Sequence, residues 1–332
     1  MIIEHIFGGL SSMKRYIQNL IDSPMAVLIY HRILDAKNDP QMLCVSPENF
    51  HMQVEHFKKH YNVLSADEFY DMVSKKKEFK KRSVVLTFDD GYYDNYENAL
   101  PILENLDISA LFFISTSNID KNSLFFWDEL EIIFDSIDAD VKNLKFDFCG
   151  FSFYYKLDST QARDESYRTL HYDLKYCKQS ARKDFLIKLR EAAGISCERI
   201  EQISNGFRSM KTEEIKKMSV SKSAVIGAHT HTHTPLSVYG YNEQYTDMIM
   251  SKNILEKIAG RKIDYFSYPF GSEDDYDADS VKICGELGFK LAFSNFYGQV
   301  HSWTDKFQIP RMLVRNWEHE YFKNQVEKFF RR

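Results

Sequence analysis

Two short stretches carry residue types that do chemistry. The first is Val84-Val85-Leu86-Thr87-Phe88-Asp89-Asp90-Gly91, an apolar, β-branched run that ends in two adjacent carboxylates and a glycine. Such a run is a buried strand, and a glycine after it permits a tight turn. The carboxylates then stand at the carboxyl end of a strand, where α/β folds place their active sites. Neighbouring strand residues point to opposite sides. Asp89 and Asp90 therefore meet different surroundings, which suits two jobs, for instance one metal ligand and one base. Taken alone, Asp-Asp-Gly reads equally well as a polar turn.

The second stretch is His229-Thr230-His231-Thr232-His233, which follows the apolar run Ala224–Ala228. In an extended segment the three histidines share a face; in a helical turn His229 and His233 do. Either way His229 and His233 converge on one ion. Neutral imidazoles suit zinc and other first-row divalent metals. An aspartate from a neighbouring strand completes a set of two histidines and one carboxylate, with positions left open for water and substrate. That is the pattern of a catalytic metal rather than a structural one.

The remaining elements must position these two stretches. Ala26–Tyr30 is a buried strand closed by His31-Arg32, where His31 either faces a cleft or bonds a loop carbonyl. Ser46-Pro47 starts a helix with the stripe Phe50, Val54 and Phe57, and Ser65 to Glu68 is a capping box. Pro101 sits early in a further helix, and Ala110–Ile114 is another buried strand. From about 124 to 205 the pattern changes: a helix from Phe125, a hairpin over Leu144–Leu157 around Cys149-Gly150, then polar helices over Thr160–Lys178 and Ser180–Ala193 with Gly194 as stop. Trp127 in this segment either stacks on a sugar ring or packs in a core. Buried strands resume at Ala224, Tyr265, Lys290 and Ile309, and a helix over Glu318–Phe330 closes the chain. The beat of strand, loop and helix predicts an α/β barrel-like fold. Residues 1–25 read as a tail or helix. Residues 26–332 read as one domain, with 124–205 as an insertion.

Composition narrows the function classes. The chain has 332 residues and a net charge of −5, which argues against a general nucleic-acid binder. Its five cysteines are scattered without a C-x-x-C pair, which fits reduced thiols. No apolar run approaches the roughly 20 residues of a membrane span, and Met1–Met25 lacks the pattern of a signal peptide. The expectation is a cytoplasmic protein. Met1-Ile2-Ile3, Ile6-Phe7 and the basic cluster Lys75-Lys76-Lys77 with Lys80-Lys81-Arg82 leave a peripheral membrane contact open. Nothing in the sequence sets an oligomeric state.

Together the two motifs resemble those of the polysaccharide deacetylases of the NodB-homology type, carbohydrate esterase family 4. Thr87-Phe88-Asp89-Asp90-Gly91 is similar to the family's first motif, and His229 to His233 to its second, His-(Ser/Thr)-x-x-His. The resemblance covers roughly 26–314, with 124–205 as extra material. It implies a distorted (β/α)7 barrel. It also implies that Asp90, His229 and His233 hold one divalent ion, zinc first, with cobalt, nickel or manganese as alternatives, and that Asp89 is the base. His231 is then the spare histidine. The third motif corresponds to Pro269-Phe270-Gly271, whose Phe270 N–H is the implied oxyanion donor, with Gly271, Tyr268 and Trp127 as substrate contacts. Two departures stand out. The third motif usually carries an arginine that pairs with the base; Ser267 stands there, and Arg311 in the last strand takes its place. The late Leu-x-His that usually supplies the acid is absent; Tyr30-His31 resembles a Tyr-His of some branches, which makes His31 the acid. The implied activity is removal of an acetyl group from an N-acetylated sugar in a polysaccharide, a glycolipid or a nucleotide-linked precursor. A deformylase or other amidohydrolase, or a non-catalytic carbohydrate-binding protein on the same fold, are the alternatives.

Overall fold

The computed structural model describes residues 23–36, 38–75, 80–121 and 123–331. The tail expected over 1–25 therefore lies, up to residue 22, outside the described residues, as do Lys76 and Lys77 of the basic cluster. Eight strands make the main sheet: β1 (Met25–Tyr30), β2 (Asn62–Val63), β3 (Ser83–Phe88), β4 (Ala110–Ile114), β5 (Ala224–Ala228), β6 (Tyr265–Ser267), β7 (Leu291–Phe293) and β8 (Met312–Leu313). Seven run in the order β7-β6-β5-β4-β3-β1-β8, and β2 pairs with the first residues of β3. Every pairing in it is parallel. The strands are continuous apolar runs because both faces of a parallel sheet are covered.

Alternate strand residues feed two cores. Ala26, Leu28, Val84, Leu86, Phe88, Ala110 and Phe112 pack outward under the helices. Val27, Val85, Leu111, Phe113, Leu291 and Phe293 fill the inner face. Outside, Ser46 accepts from Asn49 N at 3.1 Å and opens the helix Pro47–His60, whose Phe50, Val54 and Phe57 are buried. Ser65 and Glu68 cap Ala66–Ser74 reciprocally.

The sheet curls until its edges meet. The chain entering β8 bridges β7 in parallel at Phe293 and Ile309, while β8 itself pairs with β1 through Leu28 and Met312. This is the distorted seven-strand barrel that the resemblance implies. Its register also lines up the strand ends. Tyr30 pairs with Phe88, and Ile114 with Ala228. The residues that follow, His31, Asp89 and His229, leave the same rim of the barrel.

Residues 126–204 build a second cluster of their own. It comprises the helix Phe126–Ser136, the hairpin Asn143–Phe148 with Phe151–Lys156, and the helices Thr160–Lys175, Gln179–Ala192 and Cys197–Ser204. The hairpin turns on Cys149 (φ 49°) and Gly150 (φ 81°), as its sequence predicts. The first polar helix ends three residues earlier than its sequence predicts, the second keeps its length but lies one residue upstream, and the sequence does not predict Cys197–Ser204, whose Ile200 and Ile203 give too weak a period. Leu130, Ile133, Leu144, Leu157, Leu170, Leu174 and Leu189 are buried together here. No helix among the described residues is long and apolar enough to cross a membrane.

Leu130 is wholly buried in this second cluster. Leu130→Ala should therefore cost about 2–5 kcal/mol, read from urea unfolding. A cost below about 1 kcal/mol would mean that the cluster is not a packed core.

Candidate active site

The site assembles at the rim where β3, β5 and β6 end. Beyond Phe88 the chain turns sharply at Asp90 (φ 76°) and Gly91 (φ 82°). A Cβ at Gly91 would lie 2.7 Å from Ile114 Cγ2 and 3.3 Å from its Cα, so the end of β4 fills the space a side chain would need. The turn takes Asp90 out of strand alternation and aims it across the rim, while Asp89 keeps the inward parity of Val85 and Thr87. On β5, His229 N donates to Ile114 O at 3.2 Å. Thr230 (φ 60°) and His233 (φ 52°) then coil the loop back, and Thr230 Oγ1 accepts from His233 N at 3.1 Å. The segment is neither extended nor helical, yet His229 and His233 converge. His231 is turned away, with Nδ1 2.8 Å from Thr116 Oγ1 and its N–H on Asp247.

Asp90 Oδ1 lies 3.0 Å from His233 Nε2 and 3.5 Å from His229 Nε2, and the two Nε2 atoms are 3.1 Å apart. All three side chains are buried. His229 Nδ1 donates to Ser267 O at 2.7 Å, which leaves the Nε2 lone pair facing the centre. Two imidazole nitrogens face to face beside a carboxylate are bridged by a proton or by a metal ion. Nitrogen and oxygen donors about 2.0–2.2 Å from a tetrahedral zinc ion stand about 3.3 Å apart. The three separations match that spacing, so the donor set fits one small divalent cation. Burial opposes ionisation of Asp90, but hydrogen bonds from His229 and His233 hold its carboxyl well below the usual range. Burial also opposes a charge on His229, and the Asp89 and Asp90 carboxylates reverse this and raise it; for His233 burial prevails and the pKa falls.

Asp89 is fixed from the far edge of the sheet. Arg311 donates from Nη1 to Asp89 Oδ1 at 2.8 Å and from Nη2 to Oδ2 at 2.7 Å. Ser267 Oγ accepts from Arg311 Nη2 at 2.8 Å and donates to Asp89 Oδ2 at 3.1 Å. Burial works against the carboxylate, and the guanidinium overrides it and holds the carboxyl below its ordinary range. Asp89 Oδ2 is 3.8 Å from His229 Nε2. Ser267 thus does not leave a gap where an arginine was expected; it joins the arginine that comes from elsewhere.

The other expected residues divide. His31 is buried, with Nδ1 free of any partner among the described residues, and burial lowers its pKa against the opposing pull of Asp90 and Asp89. The turn Pro269-Phe270-Gly271 reaches the site: the Phe270 ring centroid is 4.9 Å from that of His233. Phe270 (φ 58°) and Gly271 (φ 70°) form the turn, in which Gly271 N donates to Pro269 O at 2.6 Å. Tyr268 is a correction. Its ring is wholly buried against Tyr276, and its hydroxyl donates to Phe307 O at 2.9 Å, so it points into the core and not toward a substrate. Trp127 is also corrected as a sugar platform. It is 3 % exposed, stacks on Phe125 and meets the His233 ring at 62° with the centroids 4.7 Å apart, so it packs behind the histidine.

One polar chain escaped sequence reading. Trp127 Nε1 donates to Tyr92 OH at 2.8 Å, and Tyr92 OH donates to Asp128 Oδ2 at 2.8 Å. The signal for it is a carboxylate set directly after Phe125-Phe126-Trp127. An acid among aromatics at the start of a buried helix needs an internal partner.

The family described as polysaccharide deacetylase matches residues 76–144 and 198–292. The chain belongs to the polysaccharide deacetylase family. The YxkH protein of Bacillus subtilis is 33% identical over 92 residues, 27% of this chain and 31% of that protein. The poly-beta-1,6-N-acetyl-D-glucosamine N-deacetylase of Staphylococcus aureus is 39% identical over 80 residues, 24% of this chain and 27% of that protein. The matched stretch is thus less than a third of the length of these curated relatives. The solved structure of the Streptococcus pyogenes deacetylase PplD, in complex with acetate, aligns over 93% of this chain and 99% of its own with a TM-score of 0.60 at 18% identity, a likeness of fold.

Two measurements check this geometry. Elemental analysis of untagged protein should find about one divalent ion per chain, lost in His233→Ala; wild-type protein that stays metal-free after incubation with zinc contradicts the site. Arg311→Met strands a buried carboxylate and should cost about 3–5 kcal/mol, and adding Asp89→Asn should recover more than half of that. If the second substitution recovers nothing, the pair is not the unit described.

Proposed function

We propose that the protein is a metal-dependent N-deacetylase that removes acetyl groups from an N-acetylated sugar chain. The observation that carries this reading is the adjacency of two differently held carboxylates: Asp90 joined to two histidines, and Asp89 joined to Arg311, with Asp89 Oδ2 3.8 Å from His229 Nε2. Asp90, His229 and His233 would hold the ion. When bound, a divalent ion acidifies water and polarises an amide carbonyl.

The remaining roles fall to the chain's own groups. Asp89, kept ionised by Arg311, accepts the proton of the attacking water. Arg311 and Ser267 hold that carboxylate in one orientation, so the proton acceptor is placed before substrate arrives. The Phe270 N–H has no acceptor among the described residues and lies in the turn whose ring packs on His233, which suits the oxygen that gains charge during attack. His31, at the same rim and with a free ring nitrogen, is placed to protonate the departing amine. Acetate and a free amino sugar result. Retention of the full Asp89–Arg311–Ser267 arrangement supports catalysis over a binding role alone, since an inert site has no use for a held base.

Residues 26–332 are read as a single catalytic domain, with about 124–205 inserted. The break in the family match between 144 and 198 supports this division. The Staphylococcus aureus relative's name points to β-1,6-linked N-acetylglucosamine as the first substrate to offer. Zinc is the first ion to supply.

Acetate release from β-1,6-linked N-acetylglucosamine oligomers is the direct test. It should stop on chelation and return with zinc. Asp89→Asn should lower kcat by about 10²–10⁴-fold while leaving metal content unchanged. Full activity in Asp89→Asn, or activity indifferent to chelator, would sink the mechanism.

A further inference from the structure

A cavity of about 360 Å³ shares Trp127 with the candidate active site, where that ring packs on His233. This is within the size range of small-molecule sites. Asp128, Glu131 and Asp135 line it from one face of the helix Phe126–Ser136, at the i, i+3, i+7 spacing that places side chains together. Asp39 adds a fourth carboxylate, and Arg32 and Arg199 are the cations on its lining. Arg32 is matched by Asp94 at 3.1 Å, both buried. Asp39 accepts from the backbone N–H groups of Leu43 and Cys44, Asp135 from Asn38, and Asp128 from Tyr92.

Glu131 differs from these three. It is 9 % exposed, lines the cavity and accepts no hydrogen bond from any described residue. Its oxygens open on the cavity, so their hydrogen bonds come from water or from a ligand. Burial, with the Asp135 charge beside it, pushes its carboxyl up to about 7. Among the described residues, the donors that converge closely enough to hold a metal ion are those of Asp90, His229 and His233. The carboxylates of this cavity are spread along its wall, which fits an ammonium carried on a larger polar body better than a bare ion. Tyr92, Trp127 and Phe207 give the cavity an apolar wall, with the Arg32 guanidinium over the rings of Tyr92 and Phe207.

We propose that this cavity is a subsite for a hexosamine whose amine is already free, with Glu131 as the carboxylate that accepts from the ammonium. The proposal rests on the N-deacetylase reading. It deepens it: the protein extends deacetylation along chains that already carry a free amine near the acetamide under attack.

Calorimetric titration of the zinc-loaded protein with the β-1,6-linked glucosamine trimer and with its fully N-acetylated counterpart tests this. Wild type should bind the amine trimer roughly 10-fold more tightly than Glu131→Gln does, with the N-acetylated trimer bound alike by both. Equal affinity of the two proteins for the amine trimer overturns the assignment. If Glu131→Gln does not fold, the salt dependence of wild type decides. Amine binding must weaken with ionic strength while N-acetyl binding does not, and parallel behaviour of the two ligands overturns the subsite. Acetate release from the N-acetylated trimer on the same preparations separates the two ideas. Activity without amine preference removes the subsite alone, and amine binding without activity removes the deacetylase reading.

Discussion

The Arg311–Asp89 ion pair lies where the curled sheet closes, and both the barrel and the site depend on it. Arg311 is 1 % exposed, and all five of its N–H groups are used: on Ser294 O, on Thr87 Oγ1, on both oxygens of Asp89 and on Ser267 Oγ. Those partners belong to the ends of β3, β6 and β7, while Arg311 itself leads into β8. One guanidinium therefore joins the two edges of the sheet to its middle. A lysine could not do the same, because an ammonium has three donors and no planar fork. The energetic reason for so complete a set of bonds is that a buried ion pair with loose ends costs more than it returns. The carboxylate at its centre is held in one orientation beside His229.

What the sequence made legible was local. Asp89 and Asp90 are adjacent, and His229 and His233 are four residues apart on one loop, so both motifs survive any reasonable guess at tertiary structure. The seven-strand barrel was legible for a similar reason: each strand is a continuous apolar run between turn residues. Arg311 was harder, since it meets Asp89 across 222 positions, and the position of Ser267 in the third motif was what drew attention to it. Tyr268 and Trp127 failed because a ring's direction is set by register and packing, not by its neighbours in sequence. Tyr268 falls on the core side of its strand end, and Trp127 is turned edge-on by the Tyr92–Asp128 hydrogen bonds behind it. Glu131 gave no signal at all; one of four acids in a mixed helix becomes distinctive only when its surroundings are seen.

Residues 126–204 do more than decorate the barrel. Trp127 and Phe125 pack against His233, and Lys175 pairs with Asp275 at 2.6 Å while its ammonium sits over the Phe270 ring. Arg182, nearly buried, donates to Thr234 Oγ1 just after the second motif. The second cluster thus touches both the histidine loop and the Pro-Phe-Gly turn. Its own core holds those contacts in place.

The backbone at the rim has an energetic consequence. Of the nine non-glycine residues with positive φ among those described, Asp90, Thr230, His233 and Phe270 stand at this one site. Each left-handed residue costs on the order of 1–3 kcal/mol, and two of them are proposed ion ligands. Glycine at Asp90 or His233 would relax the chain and remove a proposed ion ligand. The rim is therefore a place where stability and function pull in opposite directions. Drift toward a more comfortable backbone would leave the barrel standing and its chemistry gone, so a folded chain of this family is not by itself a sign of an active one.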